Sequence, residues 1–496
     1  VTEPVRREDT WHRTARDCYP DPYRIMRIQF PIVEELRGTP RETWPQPDSL
    51  PTALGYLAET FEDCGWDDLA LRVHQEILEL QRGRPEQTLR ALTAIRGNLV
   101  RQELHEEAMR AAHEEYEFAK QRGKHEVAHT AKYWVTNVLG KLGRHEEAAR
   151  IARESVAERR EWPPSKKDRS AVYQLAHAHV EYAHRLMRIR SYEQAVAPLE
   201  EAAAFWRERA WDDAASLYTV LDELCALHLR LGNLDEALRC HTEGVAAIRT
   251  RAERRGELEF LGHLGGVLNN HGNRLHALGL DEEALTAAQE SVEWYRKYAA
   301  KAPAPTGKLW LKLAIALTSL GSRLDDVGRF DEALDANDES IALITERVDG
   351  ADGQAELARA WTNRASALIA LSSFTEAGEA AAKGLELYHA ADGKAMARNT
   401  FALASAHAGN HDVALEASLR SVAEYREWSA DDAHEYGGLL ADALTDHALI
   451  RLLRSERAEA EAAITESIAL HETLVAANPG RYQRELDRAR AVAARI

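Results

Sequence analysis

The sequence predicts an all-α chain, a solenoid of about ten stacked helix-turn-helix units, and three observations predict it. An Ala recurs at one phase of a long period, as Ala70, Ala108, Ala148, Ala195, Ala237, Ala284, Ala333, Ala377, Ala414 and Ala460, at spacings of 37 to 49 residues. Other positions keep their physical character at fixed offsets from that Ala. Only 15 of 496 residues are Pro, and several of them (Pro85, Pro163-Pro164, Pro303, Pro305, Pro479) fall where one unit would pass to the next.

The elements follow in chain order. Residues 1–50, with Trp11, Tyr19, Pro20, Pro22, Tyr23, Trp44, Pro45 and Pro47 around an apolar run from Ile25 to Val33, are expected to cap the array or link it to another domain. Residues 51–477 hold the repeats. In each, a first helix carries a small residue twelve positions before the Ala: Ala58, Thr136, Ala183, Cys225, Gly272, Gly321, Ala365, Ala402 and Ala448, with Arg96 the exception. A turn follows, as in Leu231-Gly232-Asn233-Leu234-Asp235-Glu236, where Gly ends one helix and the acidic pair opens the next. The second helix then carries Ser155, Ala202, Gly244, Ser291, Ser340, Gly384, Ser421 and Ser467 seven positions after the Ala, small enough to admit a neighbouring helix. Pro198 falls inside a second helix and is expected to kink it or turn it early. Residues 478–496 are expected to form a C-terminal capping helix.

This layout resembles the tetratricopeptide repeat over roughly Pro51 to Ala477, with copies longer than the family's thirty-four residues. The resemblance implies a right-handed α-solenoid whose first helices line a concave groove, and each repeat is expected to touch mainly its neighbours. It places the groove-facing positions eleven and fourteen residues before the Ala, at Asn137, Glu181, His184, Asn270, Asn273 and Asn363. Asn side chains there can clamp a peptide backbone through paired amide bonds. Hydrogen bonding between helices of the stack accounts for Asn270 and Asn273 equally well.

A second candidate is a basic ladder seven residues before the Ala, namely Arg101, Lys141, Arg188 and Arg230, able to pair with an acidic peptide or another anion. The dipole preference for cations at helix C-termini accounts for the same residues. On one helical face His177, Glu181 and His184 could hold zinc, although polar rings are common in such grooves and no metal is expected. His271, Arg364 and His447 replace apolar residues thirteen positions before the Ala, and a local register shift is the expected cause.

The net charge of −18 disfavours broad binding to nucleic acid. No phosphate loop, nucleophile elbow or HExxH occurs, and Leu264-Gly265-Gly266-Val267 precedes a repeat helix, not a phosphate. No enzyme activity, catalytic residue or cofactor is expected. No stretch has the apolar length of a membrane span, and Cys18, Cys64, Cys225 and Cys240 are too scattered for a disulfide framework. The expected setting is therefore a cytoplasm, and Arg in place of Lys suggests a bacterial one. The leading functional expectation is a scaffold or adaptor binding a protein or peptide. A regulatory sensor responding to a peptide or small ligand is the alternative, and a metal enzyme across repeats comes third.

Overall fold

A computed structural model describes residues 22–46, 48–161, 169–208, 214–255, 258–348 and 353–496. Trp11, Cys18, Tyr19, Pro20 and the Pro163-Pro164 pair lie outside these residues. Among the described residues there are 22 α-helices and one 3-10 turn, Arg41–Thr43, and no strand. The chain divides into two compact units, residues 1–202 and 203–496.

In the first unit, α1 (Pro22–Arg37) precedes the helix pairs α2 (Ser49–Asp63) with α3 (Asp67–Gln81), α4 (Pro85–Arg101) with α5 (His105–Gln121), and α6 (His125–Lys141) with α7 (His145–Glu161). Then come α8 (Arg169–Arg188) and α9 (Tyr192–Arg207), whose last residues belong to the second unit. Met26 and Val33 of α1 bury against Leu54, Leu57 and Phe61 of α2. The chain leaves α1 through Trp44, whose indole N–H donates to the Leu36 carbonyl at 3.1 Å. Pro198 sits within α9 without ending it.

The second unit continues with α10 (Ala214–Arg230), α11 (Leu234–Arg255), α12 (Leu258–Ala277), α13 (Asp281–Lys301), α14 (Gly307–Asp326) and α15 (Phe330–Arg347). It is completed by α16 (Gln354–Ala370), α17 (Phe374–Leu387), α18 (Ala391–His407), α19 (His411–Asp431), α20 (Ala433–Leu453), α21 (Arg457–Ala477) and a last helix, α22 (Pro479–Ala493).

All ten periodic Ala residues have no exposed surface, because each meets its partner helix just after the turn. Five residues before every one of them the backbone is left-handed. Six of these positions are Gly, from Gly65 at φ 72° to Gly409 at 87°, and four are Glu103, Arg190, Ser372 and Ser455 at 58–63°. That conformation lets the next amide reach back to a carbonyl of the first helix, as Asn233 N–H does to His228 O at 2.9 Å and Glu456 N–H to Arg451 O at 3.0 Å. A side chain at such a φ costs about 1 kcal/mol relative to Gly. Ser455→Gly is therefore expected to raise stability by up to about 1 kcal/mol in urea denaturation, and a loss would contradict this account of the turn.

The small residues after the Ala do more than make room. Ser291, Ser340, Ser421 and Ser467 donate their hydroxyls to the carbonyls of Gly265, Ala314, Ala395 and Ala441 at 2.7–3.0 Å, each 26 residues back. These bonds tie the second helix to the first and satisfy a buried hydroxyl at the same time. Arg96, the one break in the small-residue pattern, lies 2.6 Å from Glu115, and the pair is 5% and 1% exposed. Glu115 occupies the position seven after Ala108, so both small positions of that repeat are replaced together by an ion pair.

His271, Arg364 and His447 leave the register unchanged, since Ala284, Ala377 and Ala460 are as buried as the rest. Each finds company within the stack. His271 lies 5.0 Å from the ring of His241, Arg364 pairs with Asp338 at 2.6 Å, and His447 Nδ1 meets Ser418 Oγ at 2.8 Å.

The expectation that each repeat touches mainly its neighbours fails in the second unit. Arg230 at the end of α10 pairs with Asp432 at the start of α20, and the Asn478 amide donates to the Ala277 carbonyl at 2.8 Å. Gly279 and Gly480 approach backbone to backbone, so a Cβ on Gly279 would fall 2.2 Å from the Gly480 carbonyl carbon. Beyond them Arg484 of α22 donates to the Asp326 carbonyl. The second unit thus closes on itself.

Candidate functional site

The second unit holds a cavity of about 610 Å³ lined by Tyr218 of α10, Asn269 and Asn270 of α12, Tyr295 and Tyr298 of α13 and Lys312 of α14. Three glycines of α12 let the tyrosines of its wall pack close. A Cβ on Gly262 would stand 2.6 Å from Tyr298, and one on Gly265 or Gly266 about 3 Å from Tyr295. With no side chain there, both tyrosines lie against the helix itself. Leu264-Gly265-Gly266-Val267 is therefore inside α12, and its glycines serve aromatic packing.

Burial pushes the hydroxyls of Tyr218 and Tyr295 up to about 12. The Tyr218 hydroxyl is removed from water without a hydrogen bond of good geometry, although the Asn270 amide acts on it. Asn270 and Asn273, three residues apart on one face of α12, are both exposed.

Behind the cavity, Arg274 grips Asp222 with two bonds of 3.0 and 3.1 Å, and His241 Nδ1 stands 3.1 Å from the same carboxylate. Burial works against the charge of Asp222, but hydrogen bonds from His241 and Arg274 hold its carboxyl at about 2. Burial also lowers His271 to about 4, so its ring is neutral at pH 7.

The first unit holds a second cavity, of about 420 Å³, walled by α6, α7 and α8. His129, Lys132, Tyr133 and Thr136 come from α6, Ser155 and Arg159 from α7, and His177, Glu181 and His184 from α8. The three residues with zinc-like spacing do meet at this cavity, but Glu181 is engaged elsewhere. It accepts from Arg185 Nε at 2.6 Å and from the Thr136 hydroxyl at 3.1 Å. His179 turns into the stack, 3.3 Å from Glu201.

The remaining candidates separate. Asn137 is half-buried on α6, and Lys141 and Arg188 are exposed at the ends of α6 and α8. Arg101 is held by Glu62 at 2.5 Å and Asp67 at 3.1 Å, and Arg230 by Asp432. The Asn363 amide donates to the Ser322 hydroxyl at 2.8 Å, which is bonding between helices of the stack.

Tyr218, Tyr295, Tyr298 and Arg159 are cavity residues that the repeat offsets do not single out. The run of α12 glycines is the one local signal for the tyrosine wall. Among the described residues no helix is long and apolar enough to cross a membrane, and Cys64, Cys225 and Cys240 form no disulfide with one another.

No protein-family model matches the chain, and neither does any curated protein. Solved structures do. A signal-transduction ATPase with numerous domains and a tetratricopeptide-repeat sensor, from Pyrococcus horikoshii, is 13% identical, with 96% of this chain and 68% of that one covered at a TM-score of 0.43. The apo form of RapI is 13% identical, with 74% and 98% covered at 0.40. BtubC from P. vanneervenii is 18% identical, with 50% and 94% covered at 0.39.

Proposed function

We propose that the chain is a non-catalytic, cytoplasmic scaffold that binds a protein or peptide along its repeat helices, with the tyrosine-walled cavity of the second unit as anchor. The observation that carries this reading is the exposed pair Asn270 and Asn273 beside that cavity. Two amides three residues apart on a helix can each give and accept a bond along an extended peptide backbone. The half-buried Tyr298 ring supplies a flat apolar face for a ligand side chain, and Lys312 adds a positive charge that favours an acidic residue in the ligand.

The test is selection of a binding peptide from a random display library on the intact chain, followed by titration against the variant Asn270→Ala with Asn273→Ala. The affinity is expected to fall about tenfold or more, or 1.4 kcal/mol, with the helical circular dichroism unchanged. Equal affinity would remove these residues from the binding surface.

One observation favours a regulatory sensor as the second reading. Arg230 with Asp432, and Asn478 with Ala277, fasten the second unit across some 200 residues of chain. A ligand that loosened either fastening would be felt at both ends of that span.

A further inference from the structure

The first unit's cavity carries a guanidinium that forms no ion pair among the described residues. Arg159, near the end of α7, lines the cavity half-buried. Its Nε is buried with no hydrogen-bond partner, and its Nη1 reaches the Gln174 side-chain oxygen only at 3.4 Å. No carboxylate lies within ion-pair distance of it among the described residues, whereas the neighbouring charges are all engaged. Lys132 pairs with Glu158 at 3.1 Å, Glu158 also accepts from the Tyr116 hydroxyl at 2.8 Å, and Glu181 is held by Arg185 and Thr136. Burial pulls the Arg159 guanidinium down to about 10, which still leaves it charged at pH 7.

A guanidinium partly withdrawn from water, on which Glu158 acts only from beyond ion-pair distance, gains a charge-assisted pair when a planar anion arrives. The cavity has the room, at about 420 Å³, and Thr136 and His184 stand in its wall as further polar groups. We propose that this cavity is a carboxylate-binding site of the first unit, with Arg159 as the residue that takes the anion. It extends the reading of the repeat surface as a ligand surface but uses neither Asn270 nor Asn273, so either can fail alone. The net charge of −18 repels anions over most of the surface, so binding that depends on one Arg reports a local site.

The experiment is thermal denaturation of the full chain in about 50 mM succinate, inorganic phosphate or chloride at matched ionic strength, with Arg159→Gln and Arg159→Lys alongside. Both organic and inorganic anions can stabilise by exclusion from the surface, and the variant removes that contribution by subtraction. Succinate is expected to raise the Tm of the parent above its value in chloride, and Arg159→Gln is expected to lose most of that rise. Arg159→Lys should keep part of it. In chloride, Arg159→Gln should be at least as stable as the parent, since Arg159 makes no ion pair among the described residues; this separates a lost site from a lost fold. An equal succinate shift in parent and Arg159→Gln, no shift in the parent, or a shift with phosphate alone would each overturn the assignment.

Discussion

Glu115→Ala is expected to destabilise the first unit by about 3–5 kcal/mol. The substitution leaves the Arg96 guanidinium, 5% exposed, without the carboxylate 2.6 Å away. The face of Trp134, 4.9 Å from the guanidinium carbon, then becomes its main remaining partner, worth at most about 2 kcal/mol. The double variant Arg96→Ala with Glu115→Ser restores the small residues that the other repeats use at these two positions. It is expected to recover most of the loss, because removing both members of a buried pair leaves no stranded charge. Urea denaturation of parent, single and double variants decides it. A single variant within about 1 kcal/mol of the parent would falsify the buried pair as a structural element.

The second large effect is expected at Gly279, and Gly328 serves as its control. Both stand five residues before a periodic Ala, at φ 80° and 78°, so Ala at either position meets the same backbone penalty of about 1–2 kcal/mol. They differ in what surrounds them. Nothing lies within 4 Å of a Cβ on Gly328, while one on Gly279 would fall 2.2 Å from the Gly480 carbonyl carbon and 2.5 Å from the Arg481 nitrogen. Gly279→Ala is therefore expected to cost about 2 kcal/mol more than Gly328→Ala. It should also speed hydrogen exchange across α22, whose entry is tied to Ala277 through Asn478. Equal losses in the two variants, with α22 exchange unchanged, would show that the Gly279–Gly480 contact contributes nothing to stability.

The contrast between these two glycines marks how far the sequence alone could be read. The hairpins were legible because each depends on a few residues at fixed local offsets: the buried Ala, the left-handed turn before it, and the small residue that faces the partner helix. Even the break at Arg96 was visible, and its partner could have been found by noticing that Glu115 departs from the small-residue rule in the same repeat. The four turns at Glu103, Arg190, Ser372 and Ser455 were harder, since their side chains give no sign of a positive φ. The approach of Gly279 to Gly480 was not legible, because it depends on how many small rotations between repeats add up, and no local residue encodes that sum. The cavities fall between these cases. Asn270 and His184 were reached from repeat offsets, but Tyr295, Tyr298 and Arg159 sit on second helices, and only packing against α12 or α6 and α8 brings them to a cavity.

The closure of the second unit bears on how such an array can change over time. An open solenoid gains or loses a repeat at little cost, since each unit contacts only the next. Here Arg230 must find Asp432, and Ala277 must find Asn478, after intervals of 202 and 201 residues. Duplicating or deleting one hairpin between them would carry each partner a full repeat away from its mate. Single residues can drift in this unit, but the copy number is locked.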